Sequence, residues 1–343
     1  MATRVAINGV GRIGRAFIRA AFSREELEVV ALNDLGDIHT LAYLLKYDSV
    51  YGRAPFTVEV SEDAKQLVID GRPVNFYSEK DPVNLPWGED KENIDVVVES
   101  TGVFRTYEDA KKHQEAGARR VVISAPAKSD PIDTTQGTVL MGINEDALTT
   151  CQISSNGSCT TNAGAPVVQI LHEAIGIEKA MLNTTHSYTT SQALVDSPNS
   201  KDPRRGRAAA ENMVPTSTGA AVATTKVIPD LIDKFDGIAV RVPTPAGSIA
   251  DVTFVASRDT SAEEVNDLLR TAASDERWSK VLLATDEPLV SSDIVGMKYG
   301  AIVDLALTRV TGGNLVKVMS WYDNEAGYTH TLVEHVIATG RHI

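Results

Sequence analysis

The chain has 343 residues and a formal net charge of −13, with 43% apolar and 23% charged residues. These values are typical of a globular enzyme with two domains of ordinary size. The acidic balance argues against nucleic acid or an anionic membrane surface as the main partner. Because the first eight residues read as a strand and no long apolar run follows, the sequence predicts a cytoplasmic protein.

The N-terminal part of the chain predicts a parallel βαβ unit. An apolar strand at 4–8 leads directly into Gly9-Val-Gly11-Arg-Ile-Gly14, and apolar residues then recur at helical spacing over 12–22. A second strand at 27–32 ends at Asn33-Asp34. Further strands are predicted at 94–99, 120–124 and 139–143. This alternation indicates a Rossmann-type, doubly wound and mostly parallel sheet in an α/β fold.

Beyond residue 158 the pattern changes to long, closely spaced strands. Residues 160–175 are predicted to form a helix that Pro166 kinks or restarts. The long strands are predicted at 180–186, 238–242, 249–255, 301–310 and 315–322, and the last two flank the hairpin signal Thr311-Gly-Gly-Asn314. We therefore predict two domains. The first covers 1–158 and is completed by a C-terminal helix within 324–343; the second covers 159–323 and is an α+β domain with a mostly antiparallel sheet.

The glycine-rich turn predicts a dinucleotide site because it lies between a strand and a helix. Gly9 permits the turn, Gly11 lets the backbone approach a pyrophosphate, and Gly14 lets helix and strand pack closely. Asp34 follows Gly14 by twenty residues. A carboxylate there accepts both ribose hydroxyls and repels a 2′-phosphate, so we predict NAD rather than NADP. The competing interpretations are a tight turn without a ligand and, for Asp34, a helix N-cap.

Cys159 is the candidate nucleophile because it lies between a predicted strand and a predicted helix, among small polar residues. The dipole and N–H groups of a helix N-terminus lower the pKa of a thiol. His186, which ends a predicted strand among Thr and Ser residues, is the candidate base. The alternative for a cysteine is a buried small apolar residue, and we keep that interpretation for Cys151. Two cysteines and scattered histidines predict neither a disulfide scaffold nor a metal site.

A dinucleotide site together with an activated thiol suggests a particular chemistry. A thiolate can attack an aldehyde, and the adduct can lose a hydride to nicotinamide and leave a thioester. Such a thioester conserves the energy of the oxidation. Phosphate can therefore replace water as the acyl acceptor.

Eight ordered segments of the sequence resemble those of phosphorylating glyceraldehyde-3-phosphate dehydrogenases, over essentially the whole chain. The segments are RVAINGVGRIGR, LLKYDSVYGR, VVVESTGVF, SSNGSCTTN, THSYTTSQ, RRGRAAAENMVPTSTGAA, RVPTP and WYDNEAGY. The resemblance implies a homotetramer that converts glyceraldehyde 3-phosphate, NAD and phosphate into 1,3-bisphosphoglycerate and NADH.

The resemblance also implies roles for single residues. Cys159 matches the nucleophile and His186 the base. The expected cofactor contacts are the backbone of Arg12 and Ile13 at the pyrophosphate, Asp34 at the ribose, Lys80 beside the adenine, and Ser124 and Asn324 near the nicotinamide. The expected binders of the attacking phosphate are Ser158, Thr160, Thr218 and Gly219. The expected binders of the remaining phosphate are Thr189, Arg205 and Arg241, since hydroxyls and guanidinium groups suit phosphate oxygens.

Two departures from the family pattern bear on function. Gly157 stands where an alanine is usual, and a glycine there is expected to loosen the backbone at the nucleophile. Ser197 stands where NAD-preferring members usually have leucine, although Pro198 is kept.

Three alternatives to this function stay open from the sequence. One is an erythrose-4-phosphate dehydrogenase, which uses water as the acceptor, and another is a semialdehyde or acyl-phosphate reductase. The third is a binding protein without activity. The run TSTGAA, with Thr218 and Gly219, favours a phosphate acceptor. The presence of both Cys159 and His186 favours an enzyme.

Overall fold

A computed structural model describes residues 2–343, and the chain divides into two compact units. The first unit comprises the chain up to Leu140, Asn144–Gly157 and Leu332–Ile343; the second comprises Met141–Ile143 and Ser158–Thr331. The predicted domain limit after residue 158 lies one residue beyond the limit at Gly157. No helix within residues 2–343 is long and apolar enough to cross a membrane.

The first unit is built on a nine-stranded sheet within the described residues, in the order β10-β11-β9-β8-β1-β2-β7-β6-β5. The strands of this unit are β1 (Thr3–Asn8), β2 (Leu27–Asn33), β3 (Tyr47–Asp48), β4 (Gly52–Arg53), β5 (Val58–Val60), β6 (Gln66–Ile69), β7 (Arg72–Tyr77), β8 (Val96–Glu99), β9 (Arg120–Ile123), β10 (Gln136–Thr138) and β11 (Ile153–Ser155). Strands β3 and β4 pair with each other in a two-stranded sheet and do not belong to the nine-stranded sheet. The helices of this unit are α1 (Arg12–Ala21), α2 (Ile38–Lys46) and α3 (Tyr107–Glu115).

Most pairs in this sheet are parallel, as predicted, and only β5, β6 and β7 pair with each other in antiparallel fashion. Val5, Ile7 and Val97 are fully buried. Apolar residues that are buried all along a strand are expected where both faces of a parallel sheet are covered. The strands β1, β2 and β8 are neighbours and run in the same direction, so their carboxyl ends meet at one edge of the sheet. That edge is the expected place for a ligand in an open α/β sheet.

The second unit is built on a seven-stranded, mostly antiparallel sheet within the described residues, in the order β13-β14-β12-β15-β18-β17-β16. Its strands are β12 (Ile177–Ser187), β13 (Val214–Ser217), β14 (Phe235–Val242), β15 (Ser248–Ala256), β16 (Leu282–Thr285), β17 (Ala301–Thr311) and β18 (Leu315–Tyr322). Its helices are α4 (Cys159–Ile175), α5 (Ala220–Thr225), α6 (Ala262–Ser274), α7 (Ser291–Ile294) and the first part of α8 (Ala326–Gly340), whose residues from Leu332 belong to the first unit.

Two predicted elements differ from the structure. Residues 139–143 do not form a strand; residues 141–143 lie in a turn, and the strand lies just before them at Gln136–Thr138. The Asn144 side chain donates to Thr138 O and accepts from Leu140 N, so these backbone groups bond locally rather than to a neighbouring strand. The α4 helix is continuous from Cys159 to Ile175, with Pro166 inside it, so the predicted restart at this proline is wrong.

Candidate active site

A cavity of about 670 Å³ lies in the first unit, at the carboxyl ends of β1, β2 and β8. Four predicted cofactor residues line it, namely Gly9, Gly11, Asp34 and Lys80. The other lining residues were not predicted and are Asn8, Asn33, Leu35, Glu79, Asp81, Ser100, Thr101, Val103, Phe104 and Lys112. The cavity therefore occupies the edge of the sheet that the strand order indicates for a ligand.

The glycines of the turn have the separate roles that a dinucleotide site requires. Gly9 has a φ of +96°, and a Cβ added to it would lie 2.6 Å from Thr101 N. A Cβ on Gly14 would lie 2.1 Å from Gly9 O, whereas one on Gly11 would meet no heavy atom within 4 Å. The open side of Gly11 lies at the start of α1, and N–H groups of a first helical turn have no acceptor inside the helix. This cradle fits the pyrophosphate of NAD.

The Asp34 carboxylate is fixed beside this turn. Its Oδ2 accepts from Val10 N at 2.7 Å, and its Oδ1 accepts from Gly36 N at 2.8 Å. The N-cap of α2 is Asp37, which accepts from Thr40 N at 2.8 Å. The competing interpretation of Asp34 as an N-cap is therefore wrong, and Asp34 is instead one of the residues that line the cavity.

A buried network of hydrogen bonds underlies the cavity. The Glu99 carboxylate is almost wholly buried and accepts from Asn8 Nδ2 at 2.6 Å and from Thr101 N at 2.9 Å. It also lies 3.1 Å from His113 Nε2. Because Trp87 Nε1 donates to His113 Nδ1 at 3.2 Å, the proton of this imidazole is on Nε2, from which it is donated to Glu99. The carboxylate thus has several donors, as a buried charge requires.

In the second unit, Cys159 and His186 lie in direct contact. Cys159 is the first residue of α4, and its Sγ lies 3.3 Å from His186 Nε2. Ser158 caps this helix, because its Oγ accepts from Thr161 N while Thr161 Oγ1 accepts from Ser158 N. His186 is on β12, directly paired with Arg241 on β14. Helix start and strand pairing together bring the thiol, the imidazole and the guanidinium into one place.

The Cys159 thiol and the His186 imidazole are both uncharged near neutral pH before any proton passes between them. Burial and the nearby Arg241 guanidinium lower the pKa of His186 to about 3. Burial raises the pKa of the Cys159 thiol, although Arg241 and hydrogen bonds from Thr160 oppose this change. The lowered thiol pKa expected from the helix N-terminus is thus outweighed by burial. Deprotonation of Cys159 therefore depends on transfer of its proton to the adjacent imidazole.

Contacts at the other ring nitrogen orient the imidazole. His186 Nδ1 lies 2.7 Å from Ser187 O and 2.8 Å from a terminal nitrogen of Arg241, which also donates to Ser187 O at 3.0 Å. Because the Arg241 guanidinium can only donate, it and the Ser187 carbonyl favour opposite tautomers of His186. Donation from Nδ1–H to the carbonyl is the one that leaves on Nε2 the lone pair that faces the thiol. Such a tautomer suits a base.

Tyr322, which the sequence analysis does not single out, links α4, which carries Cys159, to β12, which carries His186. Its hydroxyl lies 2.9 Å from Thr160 Oγ1 at the start of α4 and 2.7 Å from Thr184 Oγ1 on β12. Its ring meets that of His186 edge-on at 5.8 Å between centroids. Burial raises the pKa of Tyr322, so the hydroxyl stays protonated. The only sequence signal for it was its place in WYDNEAGY.

The predicted phosphate binders have different surroundings. Thr160 is buried, and its hydroxyl is engaged by Tyr322. Both Nε and one terminal nitrogen of Arg205 donate to Thr216 Oγ1, at 2.9 and 2.8 Å. The pKa of Arg241 is lowered chiefly by burial and, to a smaller extent, by the positive charge of Arg205. Thr189 Oγ1 lies 3.0 Å from Ser191 Oγ.

The remaining predicted residues lie at the ends of elements. Thr218 and Gly219 precede α5, and Thr218 Oγ1 accepts from Ala220 N at 3.2 Å. In the first unit, Ser124 follows β9 and is half-buried. In the second unit, Asn324 follows β18, and its Oδ1 accepts from Ser248 Oγ at 3.0 Å.

Comparison with known proteins identifies the family. Residues 3–107 match the model of the glyceraldehyde 3-phosphate dehydrogenase NAD binding domain, and residues 158–324 match that of the C-terminal domain. The chain is 48% identical to "Glyceraldehyde-3-phosphate dehydrogenase" of Geobacillus stearothermophilus, over 97% of each chain. It is 49% identical to the protein of the same name from Thermotoga maritima, over 96% of this chain and 97% of the relative. With "Glyceraldehyde-3-phosphate dehydrogenase 2" of Streptomyces avermitilis it shares 45% identity over the full length of both. The chain belongs to the glyceraldehyde-3-phosphate dehydrogenase family.

Proposed function

We propose that this protein converts glyceraldehyde 3-phosphate, NAD and inorganic phosphate into 1,3-bisphosphoglycerate and NADH, a step of glycolysis and gluconeogenesis. The observation that carries the proposal is the 3.3 Å contact between Cys159 Sγ and His186 Nε2 at the start of α4. A nucleophile within hydrogen-bond reach of its base is the arrangement that covalent catalysis needs. NAD is the cofactor, and it fits the cradle formed by Gly9, Gly11 and Gly14.

The covalent step starts with the proton of Cys159. His186 Nε2 takes this proton, and Sγ attacks the aldehyde carbon while the carbonyl electrons move to oxygen. The imidazolium returns its proton to that oxygen, which gives a hemithioacetal. His186 then removes the hydroxyl proton, so that the C–O double bond re-forms as the hydride leaves. NAD, when bound, supplies the hydride acceptor. A thioester on Sγ remains.

Phosphate completes the reaction. A phosphate oxygen attacks the thioester carbon, the C–S bond breaks, and the acyl phosphate leaves while Sγ regains its electron pair. Sγ takes back the proton that His186 holds, and the proton of the attacking phosphate passes to water. We propose that Ser158, Thr160, Thr218 and Gly219 bind the attacking phosphate, Thr160 through its backbone because its hydroxyl is engaged. We propose that Thr189, Arg205 and Arg241 bind the phosphate of the substrate.

For the cofactor we propose contacts that follow the cavity of the first unit. Arg12 and Ile13 at the start of α1 bind the pyrophosphate, Asp34 binds the adenosine ribose and Lys80 the adenine. Asp34 and Lys80 line the cavity, which supports these two roles. Ser124 and Asn324 are proposed to contact the nicotinamide end. On this basis 1–158 with 324–343 serve the cofactor and 159–323 serve catalysis.

We further propose a homotetramer in the cytoplasm. Support for self-association comes from apolar side chains on interior strands of the second sheet, since Met181 on β12 and Ile238 on β14 are 56% and 53% exposed. Exposed apolar side chains on interior strands are typical of a sheet face covered by another subunit. Support for a reducing compartment comes from the two free cysteines.

The initial rate of NADH formation, followed by absorbance, tests the proposal. With glyceraldehyde 3-phosphate the rate should require phosphate, and with erythrose 4-phosphate it should be low. Cys159→Ser should abolish the rate yet still bind NAD, because a hydroxyl is a poor nucleophile and Cys159 is not in the dinucleotide turn. A rate independent of phosphate would indicate water as the acceptor. Substantial activity of the serine variant would exclude Cys159 as the nucleophile.

A further inference from the structure

His335 on α8 is buried in the first unit, where its imidazole holds two residues of the chain just before the nucleophile. Its Nδ1 lies 3.0 Å from Asn156 Oδ1, and its Nε2 lies 2.8 Å from Ser154 Oγ. An amide oxygen only accepts hydrogen bonds, so Nδ1 carries the proton and Nε2 accepts from the serine hydroxyl. A neutral imidazole thus satisfies both partners. We refer to Ser154, Asn156 and His335 as the histidine clamp.

The neutral form is also the one that this environment favours. The His335 side chain is fully buried, and burial lowers its pKa to about 3. Near neutral pH the ring therefore keeps one proton, on Nδ1. Under these conditions the clamp has one set of donors and acceptors: Nδ1–H donates to Asn156 Oδ1, and Nε2 accepts from Ser154 Oγ.

The segment that the clamp holds is anchored at each residue. Asn156 N donates to Ile123 O at 3.0 Å, and Ser155 Oγ donates to Ala125 O at 2.7 Å. Gly157 N donates to Ser155 Oγ at 3.1 Å, with Gly157 at a φ of +64°. This positive φ lies in the left-handed region that favours glycine, and the loosening expected from the sequence is opposed by these bonds. Cys159 follows Asn156 by three residues, so the segment leads directly into the helix that begins with the nucleophile.

Asn156 and Gly157 form a dipeptide that can react with itself. The Gly157 nitrogen can attack Asn156 Cγ, expel the side-chain amide as ammonia and close a succinimide ring. Water then opens the ring to an aspartate or to an isoaspartate, which has an extra backbone carbon. A glycine favours this reaction because it lacks a Cβ and lets the backbone rotate. In the folded chain both reacting groups are held, Gly157 N by Ser155 and the amide by His335.

We propose that His335 is a positioning residue that fixes the segment leading to the nucleophile and prevents cyclisation of the Asn156–Gly157 dipeptide. The effect on activity rests on the proposed role of Cys159, whereas the effect on cyclisation does not. Loss of the clamp releases the amide, and the conversion that follows places a charge or an extra backbone carbon next to the active-site helix. The enzyme then loses activity with time.

The test compares His335→Leu with the wild type as purified full-length proteins. Leucine fills most of the space but removes both ring nitrogens. Peptide mass spectrometry after incubation at mildly alkaline pH should detect conversion of Asn156 to aspartate or isoaspartate about tenfold faster in the variant. Loss of one buried hydrogen bond raises the population of the released, reactive Asn156 side chain by about this factor. The kcat of the fresh variant should fall about tenfold to hundredfold, as for a small displacement of a reacting group, whereas NAD affinity should stay unchanged.

Thr339→Val is the matched control, because Thr339 Oγ1 donates to the backbone oxygen of His335 and leaves the imidazole in place. It should behave as the wild type in both measurements. Equal conversion at Asn156 in the folded wild type and His335→Leu overturns the proposal, and so does an unchanged kcat. If His335→Leu does not fold, Ser154→Ala, which removes one side of the clamp, replaces it with the same expectations. If glyceraldehyde 3-phosphate is not a substrate, the proposed function fails, but the conversion at Asn156 still decides the cyclisation claim.

Discussion

At the scale of single residues, the chemistry depends on how a buried thiol loses its proton. Neither Cys159 nor His186 is charged on its own, because burial raises the pKa of the first and lowers that of the second. The 3.3 Å contact allows the proton to pass directly between them. Arg241 has two opposite effects, since its positive charge favours the thiolate and disfavours the imidazolium. It therefore favours return of the proton from the imidazole once the thiolate has reacted.

We expect His186→Asn to fold but to turn over about 10²- to 10⁴-fold more slowly, the usual contribution of general-base catalysis. Asparagine keeps a polar group beside Sγ but cannot accept the proton. The variant thiol should also react more slowly with an alkylating reagent at neutral pH. An unchanged alkylation rate together with an unchanged turnover would contradict the assignment of His186 as the base.

We expect the wild type to prefer NAD strongly over NADP, and Asp34→Ala to weaken NAD while relaxing this preference. The variant loses both the acceptor for the ribose hydroxyls and the repulsion of a 2′-phosphate. Ser197 can offer a 2′-phosphate one hydroxyl, which makes the preference less extreme than with leucine there. The measurement is kcat/KM for both cofactors in both proteins. Asp37→Ala is the control, because Asp37 caps α2 and should affect stability but not cofactor choice.

At the scale of elements, the turn between β1 and α1 combines a packing requirement with a ligand requirement. We expect Gly14→Ala to reduce the free energy of unfolding by about 1–3 kcal/mol, the usual cost of overpacking, although alanine favours a helix. The reason is that its Cβ would lie 2.1 Å from Gly9 O. Gly11→Ala meets no atom within 4 Å and should keep its stability but bind NAD more weakly. Urea unfolding and NAD titration of both variants separate the two effects. Equal stability losses would contradict this division.

The elements that could be predicted from the sequence are those in which the spacing of the apolar residues matches the face of the helix or strand that is buried. The βαβ unit is one, since β1 is followed by a glycine-rich turn and an amphipathic α1. The strand predicted at 139–143 is wrong because Val139 and Leu140 are apolar and almost wholly buried, yet lie outside any strand, just before a turn at 141–143. A short apolar run does not distinguish a strand from a buried turn. Here Val139 N still donates to Ser155 O on β11, but the side chain of Asn144 satisfies Thr138 O and Leu140 N, so the strand does not continue.

The candidate site was predictable where a residue type itself carries the chemistry. Cys159 and His186 stood out because a thiol at a helix start needs a base. Tyr322, Glu99 and His335 did not, because their importance comes from contacts with residues distant in the sequence. Tyr322 meets Thr160 across 162 positions, and His335 meets Asn156 across 179. Spacing along one sequence contains no information about such pairs.

At the scale of the whole molecule, two buried histidines predict acid lability. His186 and His335 have pKa values of about 3 in the folded state, against about 6.5 in the unfolded chain. Below pH 6.5 the unfolded state therefore binds protons that the folded state does not. The stability is complete above pH 6.5 and is lost as the pH falls towards 3, by about 1.4 kcal/mol per pH unit for each group. Between pH 6.5 and 5, His335→Leu should halve the slope of unfolding free energy against pH. An unchanged slope would contradict the neutral state of His335.

The network beneath the cofactor cavity has a consequence for how NAD is captured. Glu99, Asn8 and Thr101 are linked to the His113 imidazole, so this part of the cavity floor is ordered by the protein's own contacts. A ligand that meets an ordered floor does not have to restrict these side chains, and this lowers the entropic cost of association. The free energy of cofactor contacts can then go into affinity rather than into local ordering. Folding has already organised this part of the binding surface.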